Sequence, residues 1–368
     1  MTRSTRLLAG MLAGALFVAA CSGGDDADES TEASSTAEVD ETTTTTAAST
    51  TTSSSTTSTT VPDVLRMPLT GEPIESADEV PDRPALVVKI SNAPSSVVPQ
   101  AGLNLADLVI EEVINDQATR LAAVFHTTDS DPVGPIRSGR AQDINLLLAL
   151  DRPLFAWSGG NPSVTRAIEE SDLIDLSALH SPGYYRRSGR SSPNNLYSDT
   201  DALWSQATDE AGRPPQVFGY DDDEAIAEGE PATTIEVVLD SVDARWEYDP
   251  ESGRYFRWQD GSEHTTESTE SESGVEQVWV DNVIVMMADY GVNTFDGNPD
   301  AQVLGSNPVY VFSGGTVREG VWLRFKPEDP YSFFDNVDDL NPIGLHPGRT
   351  WLEIPRNQDE NLTWSDEG

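Results

Sequence analysis

The chain contains a single cysteine, Cys21, and it stands near the start. This excludes an intramolecular disulfide, a cysteine-based zinc site and a catalytic thiol in any folded part downstream. Only four histidines are present, so no His-rich metal centre is expected, and no cofactor motif is found. The fold must therefore rest on its hydrophobic core alone. At 368 residues, two domains are expected. With 63 acidic and 22 basic residues the formal charge is −41. Phosphate backbones are repelled by such a chain, so no nucleic-acid partner is expected. Polybasic attachment to anionic lipid is disfavoured for the same reason.

The first twenty residues read as a processing signal. Arg3 and Arg6 precede an apolar run, Leu7 to Ala20, that is short for a bilayer span. It ends Val18-Ala19-Ala20-Cys21, which resembles the lipobox of bacterial lipoproteins. That resemblance implies cleavage before Cys21 and a diacylglycerol, with palmitate-type chains, on its thiol. The expected address is the cell membrane, lipid-anchored on its outer, extracytoplasmic face. Residues 21–63 are Ser, Thr, Ala and acid, with no charge or aromatic from Thr42 to Thr60. Such a stretch cannot offset the entropy of ordering, so it is expected to be a disordered tether. Without the nine acids of the tether and the two Arg of the signal, 54 acids and 20 bases remain, a formal −34. The acidity thus belongs to the part that folds, where the only lysines are Lys89 and Lys326.

The expected fold class is α+β, an N-terminal mixed α/β domain (64–213) followed by a mostly antiparallel β domain (214–357) and a C-terminal tail (358–368). Ala85 to Ile90, Asp107 to Glu111, Leu121 to Phe125 and Leu154 to Trp157 read as strands. Ala141 to Leu150, Pro162 to Glu170 and Thr200 to Glu210 read as helices, the second with Pro in its first turn. After Pro214-Pro215 the segments 234–239, 244–249, 255–258, 277–287, 309–312, 321–325 and 350–354 all read as strands. Residues 259–276 are rich in Ser, Thr and Glu and are expected to form a mobile loop.

Several runs together resemble one family. They are Arg83-Pro84-Ala85 to Ile90, Asn92, Pro99-Gln100-Ala101-Gly102-Leu103, Ala106-Asp107, Glu111, Thr119-Arg120 and Phe125. The run Gly134-Pro135-Ile136-Arg137-Ser138-Gly139-Arg140 is the most distinctive. Ser158-Gly159-Gly160, Pro193-Asn194-Asn195-Leu196-Tyr197, Trp322, Arg324, Lys326 and Pro347 to Trp351 follow in order. The chain resembles the YerB-like bacterial lipoproteins, a two-domain family of unknown function. The resemblance implies an exported lipoprotein and supplies no activity.

Chemistry is expected first at Arg137 and Arg140, just before a helix start at Ala141. The helix dipole prefers an anion there, so two cations point to a bound carboxylate or phosphate. Arg120 and Arg190 are expected nearby, with Asn92, Asn194 and Asn195 as polar neighbours. Between Gly134 and Ser198 there are seven Arg and six acids, near neutrality in an otherwise negative chain. The alternative is that Asp107, Glu111 or Glu112 supplies the anion internally. On a strand Asp107 and Glu111 share a face and Glu112 points away. Asp107 and Glu111 would lie ~13 Å apart, beyond the ~9.5 Å limit for a glycosidase pair. Ser158 with His126 or His180 lacks the flanking pattern of a hydrolase elbow.

The expected function is a lipoprotein that binds or scaffolds an envelope component, peptidoglycan or a protein partner, through an Arg-lined cleft. The alternative is an envelope enzyme that hydrolyses glycan or peptide bonds with Glu111 near Arg137 and Arg140. A Glu111 buried in an ion pair favours the first; one facing a second carboxyl across an open gap favours the second.

Overall fold

The computed structural model describes residues 64–366, apart from position 94. The expected signal peptide, Cys21 and the 21–63 tether lie outside the described residues.

In the first half the principal strands are β1 (Leu86–Ser91), β2 (Leu108–Val113), β3 (Thr119–Phe125), β4 (Leu154–Trp157) and β5 (Ile174–Ser177). Between and after them lie helices α1 (Gln142–Leu147), α2 (Pro162–Glu169) and α3 (Thr200–Trp204). The principal strands of the second half are β6 (Thr234–Leu239), β7 (Val242–Asp249), β8 (Arg254–Gln259) and β9 (Asn282–Met286). They continue as β10 (Gly305–Ser313), β11 (Thr316–Arg324), β12 (Ser332–Phe334), β13 (Thr350–Ile354) and β14 (Leu362–Ser365).

One sheet runs through both halves in the order β12-β11-β10-β9-β13-β2-β3-β1-β4-β5. The halves join where β13 lies parallel to β2, with Leu108 opposite Thr350 and Glu111 opposite Glu353. Strands β8, β7, β6 and β14 form the core of a second, antiparallel sheet. The fold is thus mainly β with mixed and antiparallel sheets, which corrects the α+β expectation. The physical reason lies in the helices. Thr200 to Glu210 was expected as one helix, yet α3 stops at Trp204. Beyond Trp204 the only apolar residues are alanines, so no stripe remains to bury. Asp199 caps this helix by accepting the Ala202 N–H at 2.7 Å. Helix α2 matches its expectation, with Asn161 as cap and Pro162 at its first position.

Successive residues of β1 serve two cores. Leu86, Val88 and Ile90 pack with Ile235, Val237 and Trp246 of the second sheet. Val87 packs with Leu146, Leu147, Val164 and Ile168 of the helices. With both faces covered, all six residues of β1, β2 and the seven of β3 are buried.

The stretch 277–287, expected as one strand, is three. Val275–Gln277 pairs with Thr265–Glu267, Trp279–Val280 with β8, and β9 with the main sheet. The chain crosses between layers here, so no single ladder accommodates it. The expected loop 259–276 holds the strands Ser262–Glu263 and Thr265–Glu267. His264 and Thr266 are buried, and the exposed turn narrows to 268–274. The expected tail 358–368 contains β14, where buried Leu362 and ring contacts of Trp364 with Tyr310 and Phe312 hold the edge.

Candidate functional site

The pleat sends Glu111 and Glu112 to opposite faces of the main sheet, and each enters a different buried cluster. On the side of the second sheet, Glu111 is fully buried and pairs with Arg257 at 2.8 Å. Its other oxygen accepts from Asn92 at 2.8 Å and from the Thr119 hydroxyl at 2.6 Å. Arg257 also lies 3.8 Å from Glu353, donates to Gln259 at 2.7 Å and contacts His264. Glu353 accepts the Trp246 indole N–H at 3.0 Å. Burial, and then the charge of neighbouring Glu111, raise the Glu353 carboxyl to about 8. His264 is held well below its ordinary value by burial and by Arg257.

On the helix side, Lys89 is fully buried and donates to Glu112 and, at 2.5 Å, to Asp143. Burial and the Asp143 charge raise Glu112 to about 7. Beside this triad stand three guanidinium groups. Arg120 sits opposite Glu112 on the β2–β3 ladder and is buried. Burial, then Arg140, then Arg137 lower it to about 9. Arg137 is half-buried beside the end of β1, where its N–H donates to the Lys89 carbonyl. Its side chain donates to Asn194 Oδ1 at 2.7 Å, and burial and Arg140 lower its pKa. Arg140 donates to Asn115 Oδ1 at 2.8 Å and to the Gly139 carbonyl at 3.0 Å. None of the three forms an ion pair with a carboxylate of the described residues, and the Nε atoms of Arg120 and Arg140 are buried without a partner.

The chain reaches this position because two glycines permit it. Gly134 has φ +142°, and a Cβ there would meet the Tyr197 ring at 2.9 Å. A Cβ on Gly139 would meet Ile168 at 2.7 Å and the Trp157 ring at 3.1 Å. The segment then lies along β1 beyond the end of β4, with Ile136 bridged to Ile90 and the Ser158 N–H donating to the Arg137 carbonyl.

The candidate residues therefore separate. Arg120, Arg137, Arg140 and Asn194 come together. Asn92 and Glu111 belong to the other face. Arg190 lies on the carbonyls of Val97 and Pro99, and Asn195 accepts from Arg186 at 2.6 Å. Asp107 holds a turn, accepting the His126 and Thr127 N–H groups at 2.6 and 2.9 Å. Helix α1 has six residues, and its own Asp143 accepts the Arg140 N–H at 2.6 Å. Voids of about 550 and 540 Å³ lie elsewhere, one over Glu236, Arg245 and Trp258, the other lined by Asn104, Asp131, Arg254 and Trp279. His180 pairs with Asp175 at 3.3 Å, the His126 ring is buried with both nitrogens unpartnered, and among the described residues no hydrogen bond joins either to Ser158. Glu169, Asp175 and His180 bring donor atoms within 4.8 Å of one another, but Asp175 is already engaged by the Trp157 indole at 2.8 Å.

Lys89, Asp143, Arg257, His264 and Glu353 were not anticipated as site residues. Lys89 and Glu353 did carry a signal, each being the one charge in an apolar strand. A buried strand obliges such a residue to find a partner.

One sheet whose two halves join through a parallel seam, with one ionic cluster on each face of that seam, places the chain among mainly β proteins of two sequence segments. Residues 69–213 match the profile described as "Protein of unknown function (DUF3048) N-terminal domain", and residues 234–352 match the DUF3048 C-terminal domain. The chain belongs to this family of unknown function. It is 26 % identical over 307 residues to the Bacillus subtilis (strain 168) protein named "Putative lipoprotein YerB", covering 80 % of this chain and 88 % of that one. The crystal structure of YerB protein from Bacillus subtilis superposes with a TM-score of 0.69 at 22 % identity, over 82 % of this chain and 99 % of that chain.

Proposed function

We propose that this protein is a lipoprotein anchored through acylated Cys21 on the outer face of the membrane, and that it binds an anionic envelope component, peptidoglycan or a protein partner, at Arg120, Arg137 and Arg140. The observation that carries the reading is the unpaired state of these three guanidinium groups. In a chain of charge −41, carboxylates to pair them are abundant, yet among the described residues none forms an ion pair with them. The site also lies beyond the carboxyl ends of the parallel strands β1 and β4, where open sheets with such strands bind ligands. Against hydrolysis by Glu111 stands its position: it is fully buried and bound to Arg257.

Full-length protein is expected to be retained by purified sacculi or to capture an envelope protein. The Arg137→Ala/Arg140→Ala variant should lose at least tenfold in retention, because hydrogen bonds to charged groups contribute about 1.5–3 kcal/mol each. Its melting temperature should stay near that of the parent, since neither side chain forms an ion pair with a carboxylate of the described residues. Equal retention of both proteins would overturn the binding reading.

The anchor is tested separately. Acyl chains contribute about 0.8 kcal/mol per buried methylene, so Cys21→Ala should move the protein to the soluble fraction or leave it unprocessed. Salt-resistant membrane association of that variant would exclude lipidation as the anchor.

A further inference from the structure

We infer that the Arg120, Arg137 and Arg140 cluster accepts a phosphate monoester group rather than a carboxylate, an inference that rests on the binding role proposed above. The first support is charge. Lys89 is matched against Glu112 and Asp143, which leaves that triad one negative charge in excess. Three guanidinium groups set against it give the cluster two positive charges in excess. The charged groups acting on Arg120 are Arg140, Arg137 and, with the opposite sign, Glu112, so among the described residues the balance around it is cationic. A dianion neutralises it, whereas one carboxylate leaves a cation uncompensated.

The second support is geometry. The three arginines come from separate places: Arg120 from β3, Arg137 from the segment beside β1, and Arg140 from the turn before α1. Each guanidinium is a planar fork of donors. A planar carboxylate has two oxygens and is satisfied by one fork. A phosphate monoester presents three terminal oxygens in a tetrahedral array and accepts from three directions. The Nε atoms of Arg120 and Arg140 are buried and have no hydrogen-bond partner among the described residues, so donor capacity in this cluster is left unused. Asn115 and Asn194 already orient Arg140 and Arg137, so the forks are held before a ligand arrives.

The test is calorimetric titration of the full-length protein with inorganic phosphate, glucose 1-phosphate and acetate, each at the same ionic strength. Both phosphates are expected to bind, and acetate to bind at least tenfold more weakly. Tighter binding of glucose 1-phosphate than of inorganic phosphate would assign the ligand to an ester carried on a larger molecule; the reverse order would assign it to free phosphate. Arg140→Lys keeps the charge and removes the fork, so it should weaken phosphate binding at least tenfold with little change in melting temperature. Arg120→Gln should do the same, and if it fails to fold, Arg140→Lys carries the test alone. Acetate binding as tightly as phosphate, or no phosphate heat at all, overturns the inference. Sacculus retention measured in parallel separates the two claims. Retention that needs Arg137 and Arg140 but is not competed by phosphate sinks the phosphate inference and leaves the binding role. Phosphate binding without any envelope capture does the opposite.

Discussion

Replacing Arg257 by methionine is expected to destabilise the protein by about 3–5 kcal/mol, a melting-temperature loss on the order of 5–15 °C. Arg257 is fully buried and is the cation facing both Glu111 and Glu353. Its guanidinium also lies over the rings of Trp351 and Trp246, at 4.9 and 5.6 Å from their centroids. Methionine keeps much of the volume and the ring contacts but leaves Glu111 without its counter-charge. A buried carboxylate without a partner must either stay ionised in a poor medium or take up a proton. Adding Glu111→Gln to Arg257→Met should therefore recover part of the loss, because the charge that was stranded is gone. Asn92 and Thr119 can still donate to the amide oxygen at that position. A single variant that melts within a few degrees of the parent, or a double variant that loses the sum of both changes, would refute this account of the seam between β2 and β13.

A second large effect is expected in the pH dependence of stability. Glu353 has a folded value of about 8 and an ordinary value near 4.5 in the unfolded chain. Below the ordinary value both states hold the proton, and the contribution of Glu353 to stability is fully present. As the pH rises from there, the unfolded chain releases the proton while the folded protein keeps it. Stability then falls, by up to about 1.4 kcal/mol per pH unit, until the folded group ionises near the upper value. Glu353→Gln mimics the protonated form and keeps an oxygen for the Trp246 indole, so it should flatten this slope. Glu112 contributes with the same sign up to about 7 and remains in the variant. The readout is thus the difference between parent and variant in chemical denaturation across about pH 5 to 8. His126 acts on the other side: burial lowers it to about 4, so its contribution is lost as the pH falls from its ordinary value of 6.5 toward that value. Parallel stability curves for parent and variant would show that Glu353 is not held protonated.

Most strands could be read from the chain because each is an uninterrupted β-branched or alternating run. Thr234–Leu239 and Thr350–Ile354 match their expected bounds residue for residue. The opposite facing of Glu111 and Glu112 was also legible, since a strand's pleat has a period of two. What could not be read was which strand lies beside which. The partner of Glu111 is 146 residues away, at Arg257, and its neighbour across the seam is Glu353. No local pattern encodes such pairings.

By itself, the sequence determined quantities that depend on composition and local order: the absence of disulfides, the acidity of the folding part, the strand periods and the segment of clustered arginines. Only the tertiary structure decided that both segments share one sheet, that Glu111 is buried against Arg257, and that Asp143 of α1 accepts the Arg140 N–H. It also decided that Arg190 leaves the cluster for two backbone carbonyls while Arg120 joins it. The reason is that burial and charge compensation are set by neighbours distant in the chain, and a guanidinium group looks the same in sequence whether or not a carboxylate stands opposite.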